Sequence, residues 1–146
     1  MREPKWLARF DPEVGDRFLG MNDSGGGLPG YLGFRFVAFE PGVLRAEMEV
    51  REELLTPFGN LHGGVVAALC DHVLGCVCYP HMDPGQWAAT TEFKLNYLAP
   101  ISEGLLEARA TIASMTRVTA VVRIEIHNQS RVACIAQGTV IIRDPQ

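Results

Sequence analysis

The chain lacks a long hydrophobic run, a surplus of positive charge, a paired Cys-x-x-Cys motif, internal repeats and low-complexity tracts. Each absence removes a class of protein. Without about 18 uninterrupted apolar residues, no segment reads as a membrane span. With 13 Lys+Arg against 17 Asp+Glu the formal charge is −4. A nucleic-acid binder, which needs a basic face, is therefore not expected. An anionic ligand would have to rely on a few local cations or on helix termini. The opening MREPKWLARFDPEVGDRFLG intersperses charges and shows no apolar core of a signal peptide. Of four cysteines, Cys70, Cys76 and Cys78 share one apolar stretch and Cys134 stands alone. That spacing does not match a zinc site, and His72 does not complete one. On one helix Cys76 and Cys78 point about 200° apart and make poor disulfide partners. The cysteines read as small buried hydrophobes in a reducing compartment, which predicts a cytoplasmic protein without a metal.

What is present is 146 residues, 47% of them hydrophobic and 21% charged. This suffices for one domain with a full core, and excludes a disordered or fibrous chain. Residues 4–19 carry Trp6, Leu7, Phe10, Val14, Phe18 and Leu19 at helical spacing, with a break expected near Pro12. MNDSGGGLPG (21–30) reads as a linker. It divides the chain into an N-terminal helix and linker, 1–27, and a main domain, 28–146. GFRFVAFE, the Pro41-Gly42 turn and VLRAEMEV predict a β-hairpin with Leu44, Ala46, Met48 and Val50 on one face. LHGGVVAALCDHVLGCVCY is the most apolar run, and its length favours a helix that Tyr79-Pro80 ends. ATTEFKLNYLAP, GLLEARATIASM, VTAVVRIEIHN and RVACIAQGTVIIR predict four strands, the last three an antiparallel meander. The expected class is α+β, a curved antiparallel sheet wrapped around a helix that is apolar on all sides.

The polar residues of that helix carry the functional information. A carboxylate such as Asp71, set among apolar residues, is costly unless paired and is seldom kept for stability. His62 precedes Gly63-Gly64 at the helix start, where backbone N–H groups lack intrahelical partners and the dipole is positive. Two glycines there let a carbonyl approach, as an oxyanion hole for acyl transfer requires. The competing reading is a tight turn with Asn60 as N-cap. Nine helical residues span about 13.5 Å and about 900° of rotation, so His62 and Asp71 face opposite sides. One site using both needs two copies of the chain, and a two-fold dimer builds two such sites at once.

TPFGNLHGGVVAALCDHVLG followed by ATTEFKLNYLAP resembles the hotdog-fold acyl-CoA thioesterases of the phenylacetate-degradation (PaaI-like) type. His-Gly-Gly, the Asp nine residues on and a strand ending Asn-Tyr-Leu-x-Pro stand in register, and the resemblance covers residues 28–143. It implies a hotdog fold, a homodimer as minimal unit with a homotetramer as the usual assembly, and an acyl-CoA substrate. It implies no cofactor, CoA being part of the substrate. The resemblance makes Asp71 the catalytic carboxylate, acting as general base toward water or as nucleophile. Gly63, with Gly64, would offer backbone N–H groups to the thioester oxygen, His62 would orient that end, and Thr90 would position water. Thr56 stands where many relatives carry Asn or Gln, and its hydroxyl can still hydrogen-bond substrate. Arg117 stands near a position that relatives use for CoA phosphates, although the usual preceding Gly is Thr116. Phe58, Val73 and Leu74 are candidates for an apolar acyl pocket. Two rivals remain: a hotdog hydratase or dehydratase, whose His- and Pro-rich loops are missing, and a non-catalytic acyl-CoA-binding module, against which Asp71 argues.

Overall fold

The structure, a computed structural model, describes residues 3–146. After a 3-10 turn at Leu7–Arg9 the chain forms α1 (Pro12–Gly20). Asp11 caps α1 by accepting the Glu13 N–H at 2.9 Å, and Pro12 fills the first-turn position that needs no donor. Pro12 therefore starts a helix. The stretch read as a linker is built structure: a 3-10 turn at Met21–Asp23 leads into α2 (Gly27–Leu32), which stops on Gly33 at φ 79°. Glycine and proline disfavour helix in isolation, and here tertiary packing overrides them.

The hairpin follows as expected, with β1 (Arg35–Glu40) antiparallel to β2 (Val43–Glu49). Leu44, Ala46 and Met48 are buried while Arg45 and Glu49 are exposed. α3 (Gly63–Cys76) is the central helix, followed by β3 (Trp87–Tyr97), β4 (Leu105–Met115), β5 (Thr119–Asn128) and β6 (Arg131–Arg143). All six strands join one antiparallel sheet in the order β1-β2-β4-β5-β6-β3. The meander β4-β5-β6 is the expected one. β3 instead pairs with β6 at the far edge, four strand spacings or about 19 Å from β2. A 14-residue helix rises about 21 Å, so α3 can carry the chain across the sheet face.

Val66, Leu69, Cys70, Val73 and Leu74 of α3 are buried. Each large side chain so placed contributes about 1.5–3 kcal/mol of transfer free energy. Gly138 on β6 lets the helix approach: a Cβ there would collide with Leu74 Cδ1 and lie 2.5 Å from Phe93 Cβ. By length and composition Gly63–His81 is apolar enough to cross a membrane. Asp71 and His72 interrupt it, and the sheet covers one of its sides. The helix is apolar around most of its circumference, but a strip through Gly64, Ala67, Asp71 and Gly75 stays uncovered. Beyond it, His81 is only 1% exposed and ties the N-terminal segment to the hairpin turn. Its Nε2 accepts the Gly42 N–H at 3.0 Å, and its Nδ1–H donates to the Trp6 carbonyl at 3.0 Å.

Candidate active site

At the start of α3 the N-cap is His62, whose Nδ1 accepts the Gly64 N–H at 2.8 Å. Asn60 does not cap; its carbonyl accepts the Thr56 N–H at 2.7 Å. The His62 N–H in turn donates to the Leu54 carbonyl at 3.0 Å, which fixes the residue in place. Gly64 thus has its N–H engaged, whereas the Gly63 N–H has no hydrogen-bond partner among the described residues. Tyr97 was not anticipated here. Its hydroxyl donates to the Gly63 carbonyl at 2.8 Å, and its ring lies 3.0 Å from where a Gly63 side chain would begin. Desolvation holds the Tyr97 phenol above its ordinary pKa, so it stays a donor. Gly63, Asn60, Tyr97 and Leu98 border a cavity of about 360 Å³.

Asp71 opens into a different space, a groove of about 820 Å³ between the uncovered strip of α3 and β3. Gly64, Ala67, Asp71 and Gly75 recur at three- and four-residue steps, which puts them on one helix face. Small neighbours leave the carboxylate accessible: in the single chain Asp71 is exposed, contrary to the expectation of a buried acid. β3 supplies Thr90, Thr91, Glu92 and Phe93 to the opposite wall. A bulge between Thr90 and Glu92 breaks the strand alternation, and the Thr91 hydroxyl donates to the Thr139 carbonyl at 3.0 Å. Thr90 lines the groove. Glu92 is a second carboxylate there, which the strand pattern alone would have sent to the outer face.

His72 lies half-buried at the end of the groove, stacked on Phe36 with ring centroids 5.2 Å apart. Burial lowers its pKa, the neighbouring Asp71 charge opposing, which keeps the imidazole neutral near pH 7. Cys76 Sγ lies 4.0 Å from His72 Nδ1. Burial, reinforced by the Asp71 charge, pushes its thiol up to about 12, so Cys76 is protonated and no nucleophile.

The remaining candidates fall elsewhere. The Thr56 hydroxyl is turned to its own loop, accepting the Phe58 N–H at 3.3 Å. Phe58 is 90% exposed and borders neither cavity. Arg117 is exposed on the β4–β5 turn, outside the groove. Val73 and Leu74, both 0% exposed, belong to the core and form no acyl pocket. Within one chain, then, Asp71 and Gly63 border separate cavities, eight helical residues or about 12 Å of rise apart.

A curved six-stranded antiparallel sheet around one long helix, with a carboxylate on the uncovered helix strip, defines a hotdog-fold protein. Residues 58–135 match the thioesterase superfamily. The 1,4-dihydroxy-2-naphthoyl-CoA hydrolase of Listeria monocytogenes is 30% identical over 118 residues, covering 80% of this chain and 96% of its own. A thioesterase of Haemophilus influenzae superposes with a TM-score of 0.81 at 26% identity, covering 87% of this chain and 90% of that one. A variant of the phenylacetic acid degradation protein PaaI from Thermus thermophilus does so with a TM-score of 0.71 at 27% identity, covering 77% and 96%. The chain belongs to the thioesterase superfamily.

Proposed function

We propose that this protein hydrolyses an acyl-CoA thioester to the free acid and CoA, with Asp71 as general base and Gly63 as oxyanion donor. The observation that carries this reading is the exposed Asp71 carboxylate in a groove lined by small residues and Thr90. Asp71 takes a proton from water as the water attacks the thioester carbon. The tetrahedral oxyanion is held by the free Gly63 N–H at the positive end of α3, and its collapse expels the thiolate. Thiolates leave readily, so this chemistry asks for no metal or redox cofactor. Because Asp71 and Gly63 open into different spaces of one chain, two copies would share each site. Support comes from the unpaired outer edge of β3, beside the groove, and from the exposed apolar residues Trp87 and Tyr97 on β3 and Leu98 just beyond it. The four thiols, all free, fit a cytoplasmic enzyme.

Thiol release from a panel of acyl-CoAs tests the reading. Asp71→Asn should lower kcat by on the order of 10²-fold or more with fold retained, and Glu92→Gln far less. Normal turnover by Asp71→Asn would refute the assignment. Tight binding without turnover of any acyl-CoA would leave the binding module, and hydration of an enoyl-CoA the hydratase.

A further inference from the structure

We infer that Tyr97 is a positioning residue for hydrolysis: from the end of β3 its hydroxyl clamps the Gly63–Gly64 peptide and so aims the free Gly63 N–H at the thioester oxygen. The inference rests on the thioesterase reading above. An oxyanion donor is effective only if it already points where the charge will develop. Taken alone, Gly63 is a poor place for one. It has no Cβ to restrict its torsions, a second glycine follows, and both stand in the first turn of α3, where N–H groups have no intrahelical partner. Groups outside the helix must therefore hold this backbone.

The polar groups around Gly63 are held one by one. The Leu61 N–H donates to the Ile101 carbonyl at 2.7 Å, and the His62 N–H to the Leu54 carbonyl at 3.0 Å. The His62 carbonyl accepts the Val65 N–H at 2.9 Å. The peptide joining Gly63 to Gly64 is gripped by a side chain at each end. Its N–H donates to His62 Nδ1 and its carbonyl accepts the Tyr97 hydroxyl, both at 2.8 Å. From Leu61 to Gly64, the Gly63 N–H is the one backbone donor without a partner among the described residues. A frame fixed on both sides thus presents a single unspent donor.

Strand geometry delivers the phenol to this place. Phe93 and Leu95 pack against the core, and Tyr97, in step with them on the same face of β3, reaches the first turn of α3. Its backbone is anchored: Tyr97 pairs with Cys134 on β6, and the Leu98 and Ala99 N–H groups donate to the Ala133 carbonyl at 2.8 and 3.3 Å. A Cβ on residue 63 would stand 3.0 Å from both Cζ and Oη of Tyr97. Glycine at 63 and tyrosine at 97 are therefore a matched pair, since a side chain at 63 would push the phenol off the carbonyl. A phenol has one O–H, and this one is given to Gly63, so Tyr97 has none left to offer an oxyanion. It acts through Gly63.

Tyr97→Phe removes the hydroxyl and keeps the ring. Thiol release is measured with acetyl-, octanoyl- and phenylacetyl-CoA. A donor that matters only once the oxyanion forms affects kcat and spares KM. The variant should lose about 10-fold in kcat with KM within about two-fold of wild type and cooperative thermal unfolding retained. By NMR, its Gly64 amide should exchange hydrogen faster while amides of the central strands stay as protected as in wild type. Because His62 and Tyr97 hold two ends of one peptide, the double variant His62→Ala/Tyr97→Phe should lose less than the product of the single losses. Wild-type kcat in Tyr97→Phe, a raised KM at unchanged kcat, or a double variant slowed by the full product would each overturn the clamp while leaving a thioesterase. A slower Tyr97→Phe that had lost cooperative unfolding would make Tyr97 a structural residue and overturn it too. Absence of thiol release by the wild type from any acyl-CoA would overturn the thioesterase reading, and the inference with it.

Discussion

Replacing His62 by alanine removes the acceptor that holds the Gly64 N–H at 2.8 Å. Loss of a good N-cap to alanine costs about 0.5–2 kcal/mol. His62 is exposed, so water recovers part of the bond and a value near 1 kcal/mol is expected. For a chain of 146 residues that lowers Tm by about 2–4 °C. Activity should fall further than stability. The Gly63 N–H, one peptide away, loses its fixed direction; removing an oxyanion donor outright costs about 10²–10³ in kcat, so a loosened one should cost about 10-fold. His62→Asn returns a side-chain oxygen of the type most favoured at N-caps and should restore both Tm and kcat. Thermal unfolding followed by circular dichroism and thiol release on one acyl-CoA measure the two effects. If His62→Asn recovered Tm but stayed as slow as His62→Ala, the imidazole would act on substrate directly, and the capping role would be insufficient.

Gly138→Ala should destabilise by about 1–3 kcal/mol, because its methyl meets Phe93 Cβ at 2.5 Å and the Glu92 carbonyl oxygen at 2.7 Å, a backbone atom that cannot turn away. An unchanged urea midpoint would contradict the close packing of α3 on β6. His81 gives the fold an acid sensitivity: burial lowers its folded pKa below the unfolded value of about 6.5, so the unfolded chain binds the extra proton. The stability it contributes is present above pH 6.5 and is lost as pH falls through the folded pKa, when the imidazolium can no longer accept the Gly42 N–H. The stability gap between wild type and His81→Gln should therefore narrow from pH 7 to pH 5; a gap independent of pH would contradict this.

The strands were legible because their alternation is local: Leu44, Ala46 and Met48 on β2, or Val122, Ile124 and Ile126 on β5, announce a buried face by period alone. The placing of β3 beside β6 was not, since it depends on the reach of α3 across the sheet, a property of the whole chain. α2 was hidden by glycines whose conformations serve packing. At the site, Asp71 and Gly63 stood out as polar or small residues in an apolar run. The exposure of Asp71 did not, because an apolar sequence does not say which helix stripe the sheet will cover. The small residues Gly64, Ala67 and Gly75 in step with Asp71 were the available signal. His62 misled in another way, since histidine is not among the usual N-caps and only coordinates place its Nδ1 on the Gly64 N–H.

The most direct measurement is complementation between two defective chains. Asp71→Asn removes the carboxylate, and Gly63→Val places side-chain bulk against the Tyr97 ring, 3.0 Å from the first added carbon. Each alone should be nearly inactive. After equimolar mixing with subunit exchange demonstrated by mass spectrometry, half of the dimers carry both lesions in one site and neither in the other. Sites shared across a two-fold predict recovery of about a quarter of wild-type activity. No recovery despite complete exchange would contradict a shared site and return Asp71 and Gly63 to separate roles within one chain.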